Sequence, residues 1–414
     1  MRHLMLISCH FPPLGGAGVQ RALKLCLAAP EFGWQVTVVA AAPRKGDHLD
    51  ASLLAQVPDS LHVIRTGPAP LGFLSRGFDP WLIPDTYVGW YRPALRAARA
   101  AAAQTPFDAV LSTSPPQTAH LVARTLCREK KLPWIADLRD PWTDNRFADQ
   151  QANGSWMGAL RRQANQRLEA KTYEKADLIS VTTAPLAKLL TDRHGVPRHK
   201  LVVARNGFDE TDFAGKHPTH RAADGVLLFR FIGSIYAGYT FEPFLAAVET
   251  LLTQMPDAPV HFEAYVGARE MAEELLQRYP LAAAHSEILA PVSHDKVIDL
   301  YHGADVLVLS CLDDLSTPAK LFEYMRSGVP VLAFAVAGAE AHEALASTGA
   351  GVAVAHDDRD AGAGVLAAWL TRWRAGQLLA QCDNQAVARY DRREAYRELL
   401  SRLGQVVNGF PERR

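Results

Sequence analysis

The sequence predicts an α/β fold made of two doubly wound, Rossmann-like units, and three observations carry that expectation. Short apolar runs alternate with helical stretches along most of the chain, the alternation lapses after residue 212 and restarts near Val226, and 414 residues are enough to bury two cores. The runs are continuously apolar instead of alternating, as parallel strands covered by helices on both faces require.

In the first unit the strands are read at Leu4 to Cys9, Gln35 to Ala40, Ala109 to Leu111, Trp134 to Ala136, Leu178 to Val181 and Val202 to Val203. The second unit repeats the pattern at Leu227 to Ser234, His261 to Val266, Ile288 to Leu289, Val306 to Leu309 and Val329 to Phe334. Between them Asp212 to Gly225 carries Gly215, Pro218, charged side chains and little apolar content, a linker composition. Ala386 to Leu403 is amphipathic, offering Val387, Tyr390, Tyr396, Leu399, Leu400 and Leu403 for packing, and reads as a terminal helix returning to the first domain. The expected division is therefore 1–212, linker 213–225, 226–385, and a returning segment 386–414 whose last residues fray.

Composition bounds the partners. Lys plus Arg equals Asp plus Glu at 44 each, so the overall balance does not advertise a nucleic-acid partner. Cys9, Cys26, Cys127, Cys311 and Cys382 are scattered, odd in number and without metal-ligand spacing, the pattern of reduced core thiols in a cytosolic protein. The first apolar run is too short, and too soon followed by Gly and Pro, for a signal peptide or a membrane span. A soluble or peripherally attached protein is expected. The aromatic segment Phe78 to Arg92, with Trp81, Trp90 and Tyr91 and with Arg92, Arg96 and Arg99 following, is either a lipid- or acceptor-binding loop or packing over the sheet.

The segment Ser316 to Leu332 reads as loop, helix, Gly-Val-Pro turn and buried strand. Ser316 or Thr317 can cap the helix, Pro318 suits its first turn, and the amides there favour an anion. Lys320 adds a positive charge. Glu323, three residues on, shares nearly the same face, and its two oxygens suit paired hydroxyls such as those of a ribose. Together they suggest a nucleoside diphosphate, although a capped helix between two strands is the plainer reading.

Other motifs sit at strand ends. Gly15-Gly16-Ala17-Gly18 follows the first strand, but its spacing is not the dinucleotide fingerprint, which argues against a nicotinamide dehydrogenase. Ser112-Thr113-Ser114 ends another strand, with His120 in the next helix, where packing is a commoner role than catalysis. Asp137-Leu138-Arg139-Asp140-Pro141-Trp142 places two carboxylates and a guanidinium at a third strand end, as a salt-bridged loop or a site. Arg205-Asn206-Gly207-Phe208-Asp209 contains a turn dipeptide. No Ser-His-Asp set, H-E-x-x-H, Walker loop or paired C-x-x-C appears in the sequence.

Taken in order, Gly15 to Gly18, Asp137 to Trp142, Arg205 to Asp209, Phe231-Ile232-Gly233-Ser234 and Pro318-Ala319-Lys320-Leu321-Phe322-Glu323-Tyr324 resemble family 4 glycosyltransferases over most of the chain. The resemblance implies a GT-B fold, two Rossmann-like domains facing across a cleft that holds the active site. It further implies retaining transfer from a UDP- or GDP-sugar to a polysaccharide or lipid-linked acceptor, with no metal or other cofactor required. In that picture Glu323 binds ribose hydroxyls, Ser316, Thr317, Ala319 and Lys320 hold the diphosphate, and Ala290 to Val292 lie against the base. Gly16 and Gly18 approach phosphate or sugar, with Arg205 and Ser234 as further donor contacts, while Lys320, Arg139 and Asp140 are the catalytic candidates.

The sequence also departs from the family. Counting back from Glu323 to the family's first glutamate reaches Leu315, with Asp313 and Asp314 out of register. The cations that usually follow Gly233 are missing, and Arg139 stands near where many members have histidine. Two alternatives therefore stay open: a catalytically weakened GT-B partner protein in glycan assembly, or a GT-B sugar-nucleotide epimerase.

Overall fold

The computed structural model describes residues 1–67, 82–145, 156–216, 225–236 and 239–410. The chain divides into two compact units, residues 1–205 with the segment from Arg393 onward, and residues 206–392.

The first unit holds seven strands: β1 (Arg2–Ser8), β2 (Trp34–Ala41), β3 (His62–Thr66), β4 (Ala109–Ser114), β5 (Trp134–Leu138), β6 (Leu178–Val181) and β7 (Leu201–Val203). They form one parallel sheet in the order β3-β2-β1-β4-β5-β6-β7. Alternation along β1 explains its unbroken apolar run. Leu4 and Leu6 enter one core with Trp34, Tyr396, Leu399, Leu400 and Leu403, while Met5 and Ile7 enter another with Trp90, Val122, Leu126 and Trp134. Each such side chain, fully buried, contributes about 1.5–3 kcal/mol of transfer free energy.

The second unit holds β8 (Leu227–Ile232), β9 (Val260–Tyr265), β10 (Ser286–Leu289), β11 (Val306–Cys311), β12 (Val331–Ala335) and β13 (Gly351–Ala355), parallel in the order β10-β9-β8-β11-β12-β13. In both sheets the winding reverses beside the unit's first strand, at β1/β4 and at β8/β11. Ligands of open α/β sheets collect outside the carboxyl ends of strands at such a switch point. Strands β3 and β13 have no counterpart in the sequence reading. Both are edge strands, half covered, so neither needs the long apolar run that marks a central strand.

The returning segment differs from the single helix expected. It is two helices, Asn384–Ala388 and Arg392–Gly409, and Val387 packs in the second unit while Tyr396 to Leu403 pack in the first. The break exists because Asp391 pairs with Phe208: Phe208 N donates to Tyr390 O at 3.3 Å and Arg392 N to Phe208 O at 3.0 Å. Gly207 permits this approach, since a Cβ there would lie 2.3 Å from Tyr390 O. The chain enters the second unit at Asn206, before the expected linker. Asp209 caps the turn Glu210–Phe213, and Phe213 is buried in the second core; residues 217–224 of that linker lie outside the described residues.

Of the two readings of the aromatic segment, the described part takes the packed one. Trp90 is fully buried with Nε1 donating to Thr66 Oγ1 at 2.8 Å, Tyr91 hydrogen-bonds Thr125, and Arg99 forms a two-bond pair with Glu129. Residues 78–81, including Trp81, lie outside the described residues. Among the described residues no helix is long and apolar enough to cross a membrane.

One buried ion pair ties the carboxyl edge of the first sheet together. Arg21 donates from Nε and Nη2 to the Asp137 carboxylate at 3.1 and 2.8 Å, and from Nη2 to Ala204 O at 2.9 Å; Thr113 Oγ1 donates to Asp137 at 2.8 Å. Burial works to raise the Asp137 pKa, but the Arg21 charge and the hydrogen bonds outweigh it and hold the carboxyl below the usual range. Its stabilising contribution is present above the ordinary carboxylate pKa and disappears only as pH falls through the depressed value. Arg21→Met, which strands a buried carboxylate, is expected to cost about 3–5 kcal/mol at neutral pH in urea unfolding. The penalty should shrink as pH is lowered through the carboxylate range, because the stranded Asp137 can then take up a proton; a pH-independent penalty would contradict this account.

Candidate functional site

In the second unit, the loop after β11 leads into helix Lys320–Ser327, which stops at Gly328 in a left-handed conformation. Leu321, Phe322, Glu323, Tyr324 and Met325 are all buried, so the helix is packed on nearly every side. Tyr324 extends that anchorage, its hydroxyl lying 3.3 Å from both the backbone N and O of Ile232 at the end of β8. Helix start and strand end are thereby held side by side at the switch point.

The capping expected from Ser316 or Thr317 does not occur. Ser316 Oγ donates to Asp313 Oδ2 at 2.7 Å and Thr317 Oγ1 to Glu340 Oε2 at 2.9 Å, and the helix begins from Ala319 with no side-chain cap. Two carboxylates have drawn the hydroxyls away. Among the described residues the backbone amides of Ser316, Thr317, Ala319 and Lys320 have no acceptor. An uncapped helix terminus with open amides is a site for a negatively charged group.

Lys320 and Glu323 flank this opening. The Lys320 ammonium lies over the Cα of Gly233, where a Cβ would sit 2.6 Å from Nζ. It makes no hydrogen bond or ion pair among the described residues; burial lowers its pKa from the lysine value, and the nearby Glu323 charge opposes that fall. Glu323 is buried. Its Oε2 accepts from Tyr301 Oη at 2.7 Å, whereas among the described residues Oε1 has only the Arg392 guanidinium, 3.8 Å away. Tyr301 remains a proton donor at any ordinary pH, its pKa pushed well up by burial and by the Glu323 charge. Among the described residues one carboxylate oxygen is thus left with open acceptor capacity, three residues along the helix from an ammonium that makes no hydrogen bond or ion pair.

The other sequence-predicted residues fall in several places. Ser234 is exposed just past Gly233, and Val292 is partly exposed after β10, two strands from β8 in the sheet. Leu315 is buried, its amide donating to Asp313 Oδ1 at 3.1 Å, so Asp313 shapes the loop around the position where the family has a glutamate. In the first unit, Gly16 starts helix Ala17–Ala28 at φ 109°, a conformation that favours glycine, and among the described residues beyond its chain neighbours no atom lies within 4 Å of where a Cβ would stand. Gly18 is covered by Arg139, whose Nη1 donates to Gly18 O at 3.0 Å and Nη2 to Pro115 O at 2.6 Å. Asp140 stands beside this guanidinium and opposes the lowering of its pKa by burial. Arg205 accepts from Arg21 Nη1 through its carbonyl at 3.4 Å. His120 is fully buried on Ser112 Oγ at 2.8 Å, and burial takes its pKa down to about 3, so it is a neutral packed imidazole.

Gly233, Asn206, Tyr301 and Arg392 escaped the sequence reading as site residues. Gly233 carried a signal, a glycine closing an apolar strand, but its partner Lys320 is 87 residues away and no local pattern links them.

Comparison with known proteins agrees with this architecture. Residues 15–207 match the family described as glycosyl transferase 4-like domain, and residues 227–372 match glycosyl transferases group 1. The chain belongs to the GT4-like glycosyltransferases of the GT-B superfamily. Similar solved structures include sucrose-phosphate synthase from Thermosynechococcus elongatus, at 18% identity and TM-score 0.73 over 99% of each chain. Another is Anabaena HepE in complex with UDP-glucose, at 14% identity and TM-score 0.68 over 98% of this chain and 100% of that one. A UDP-N-acetylglucosamine 2-epimerase described from Listeria monocytogenes shares the fold more distantly, at 13% identity and TM-score 0.58 over 98% and 96%. A search of curated proteins finds no match.

For this glycosyltransferase the open amides and the Lys320 ammonium predict an anion cradle that depends on Gly233. Gly233→Ala should push the ammonium aside and weaken binding of inorganic pyrophosphate about tenfold, or about 1.4 kcal/mol, by titration calorimetry. Unaltered pyrophosphate affinity in the folded variant would show that the Gly233 contact does not place the charge.

Proposed function

We propose that this glycosyltransferase is a retaining enzyme that takes its sugar from a UDP- or GDP-sugar and delivers it to a saccharide or lipid-linked acceptor, without a required metal. The observation that carries the donor half is the open group of amides from Ser316 to Lys320, with the unpaired Lys320 ammonium and the half-satisfied Glu323 carboxylate one helical turn apart. Diphosphate oxygens suit the amides and the ammonium; a ribose hydroxyl suits Glu323 Oε1. The Anabaena HepE structure with UDP-glucose supports a uridine donor by likeness of fold. Ser234 and Val292 extend the same donor contact, toward the phosphates and the base respectively.

Retaining transfer at the front face needs no protein nucleophile. Its demands are stabilisation of the charge that grows on the departing diphosphate and alignment of the acceptor. Lys320 and the helix terminus answer the first demand, and losing one such donor costs on the order of 2.7–4 kcal/mol in the transition state. Arg139 is already committed to the Gly18 and Pro115 carbonyls, so its part is to hold the loop Gly15 to Gly18 and, with Asp140, to shape the first unit's contribution. Gly16 leaves space for sugar or phosphate, and Arg205 contributes at the end of that unit. The setting is the cytoplasm, with peripheral membrane contact where the acceptor is lipid-linked.

Leu315 favours a second reading, a nucleotide-binding GT-B partner without transferase turnover, because a buried leucine cannot hold a sugar hydroxyl where the family has glutamate. Titration calorimetry with UDP, GDP and their sugars tests the donor site, and transfer or hydrolysis of donor by the purified chain separates the two readings. Lys320→Ala and Glu323→Ala should each weaken nucleotide binding by tenfold or more. Because the Lys320 pKa is lowered, nucleotide affinity should fall with rising pH at a lower pH than that at which an ordinary lysine loses its proton; Lys320→Ala should lack that fall. Binding of neither UDP nor GDP would overturn the proposal.

A further inference from the structure

We propose that Arg392 is a positioning residue for nucleotide recognition, acting through the Glu323 carboxylate. The inference rests on the donor-site reading above and adds a residue remote in sequence from the helix that carries the site. Arg392 is the last residue of the second unit, and its side chain is buried. Two of its nitrogens, Nε at 3.0 Å and Nη2, donate to the single carbonyl of Gly207, which fixes the plane of the guanidinium. From that position Nη2 stands 3.8 Å from Glu323 Oε1, close enough to supply countercharge to a buried carboxylate yet too far to use up a lone pair. Tyr301 holds the other oxygen at 2.7 Å. The carboxylate is thus aimed by two partners while one oxygen stays available for a ligand hydroxyl.

The segment that brings Arg392 here is itself tied down. Phe208 and Asp391 pair, Gly207 admits the Tyr390 carbonyl where any Cβ would collide, and Asn206 Nδ2 donates to Thr317 O at 3.3 Å. Both ends of the second unit's chain therefore touch the candidate site, Asn206 at the loop before the helix and Arg392 at the carboxylate. Their turn and charge composition gives each a local explanation that hides this function.

The test uses the full chain and the readout that a ribose-binding carboxylate controls, preference for UDP over 2′-deoxy-UDP, with GDP and 2′-deoxy-GDP as the second pair. The variants are Arg392→Met, Arg392→Lys, Glu323→Gln and the double variant Arg392→Met/Glu323→Gln, with folding checked by circular dichroism. Wild type should prefer the ribonucleotide about tenfold or more. Arg392→Met should lose most of that preference, Arg392→Lys should recover part of it, and Arg392→Met should add nothing on the Glu323→Gln background. Should Arg392→Met fail to fold, the charge-preserving Arg392→Lys carries the comparison, since it cannot make the two-nitrogen bond to Gly207. A folded Arg392 variant with the full wild-type preference, or one whose effect adds to that of Glu323→Gln, overturns this inference alone. Wild type that binds the nucleotides without ribose preference removes the Glu323 role and this inference together, and wild type that binds neither nucleotide overturns the donor site as well.

Discussion

A buried charge must be answered within the protein, and the two units answer it differently. In the first, Asp137 is met by two nitrogens of Arg21 and by Thr113, so its oxygens are occupied and its effect is confined to joining β4, β5, the end of β7 and helix Ala17–Ala28. In the second, Glu323 receives one close hydrogen bond, from Tyr301, and one distant guanidinium. Leaving a buried acceptor partly unmet costs stability unless something else completes it. The same residue class at the carboxyl edge of a parallel sheet is structural where saturated and receptive where not.

The helix Lys320–Ser327 extends this logic to donors. Its start lacks the cap that the sequence offers, because Asp313 and Glu340 take the Ser316 and Thr317 hydroxyls. A side-chain cap is worth about 1 kcal/mol to a helix. Forgoing it adds to the amides left open among the described residues, while the anchoring by Tyr324 and burial on nearly every side keep the helix in place without it. Departures of local structure from local preference tend to mark functional positions, and this one falls on the segment proposed to hold the donor diphosphate.

Much of the fold was legible because parallel strands buried on both faces leave a plain mark. Leu4 to Cys9 and Val306 to Leu309 could hardly be anything else, and the edge strands β3 and β13, half exposed, left none. Lys320 and Glu323 were legible because they lie three residues apart on one helix, so a single motif holds both. Arg392 was not, since it stands in a run with Arg389 and Arg393 that looks like a solvated helix face. The aromatic segment left two readings open for a related reason: Trp90 and Tyr91 beside arginines suit a lipid surface as well as a core, and only their contacts show them packed.

The amino-acid sequence by itself determined the two Rossmann-like units, the helix that carries Lys320 and Glu323, and the glycosyltransferase family, all of which depend on periodicity and short-range spacing. Only the tertiary structure decided which polar groups remain open. Whether Ser316 caps a helix or Glu323 keeps an unused oxygen depends on Asp313, Glu340, Tyr301 and Arg392, and all but Asp313 lie more than 20 residues from the group they engage. Hydrogen-bond satisfaction is a property of the folded neighbourhood, because a donor has few acceptors within 3.5 Å and chain order does not say which they are.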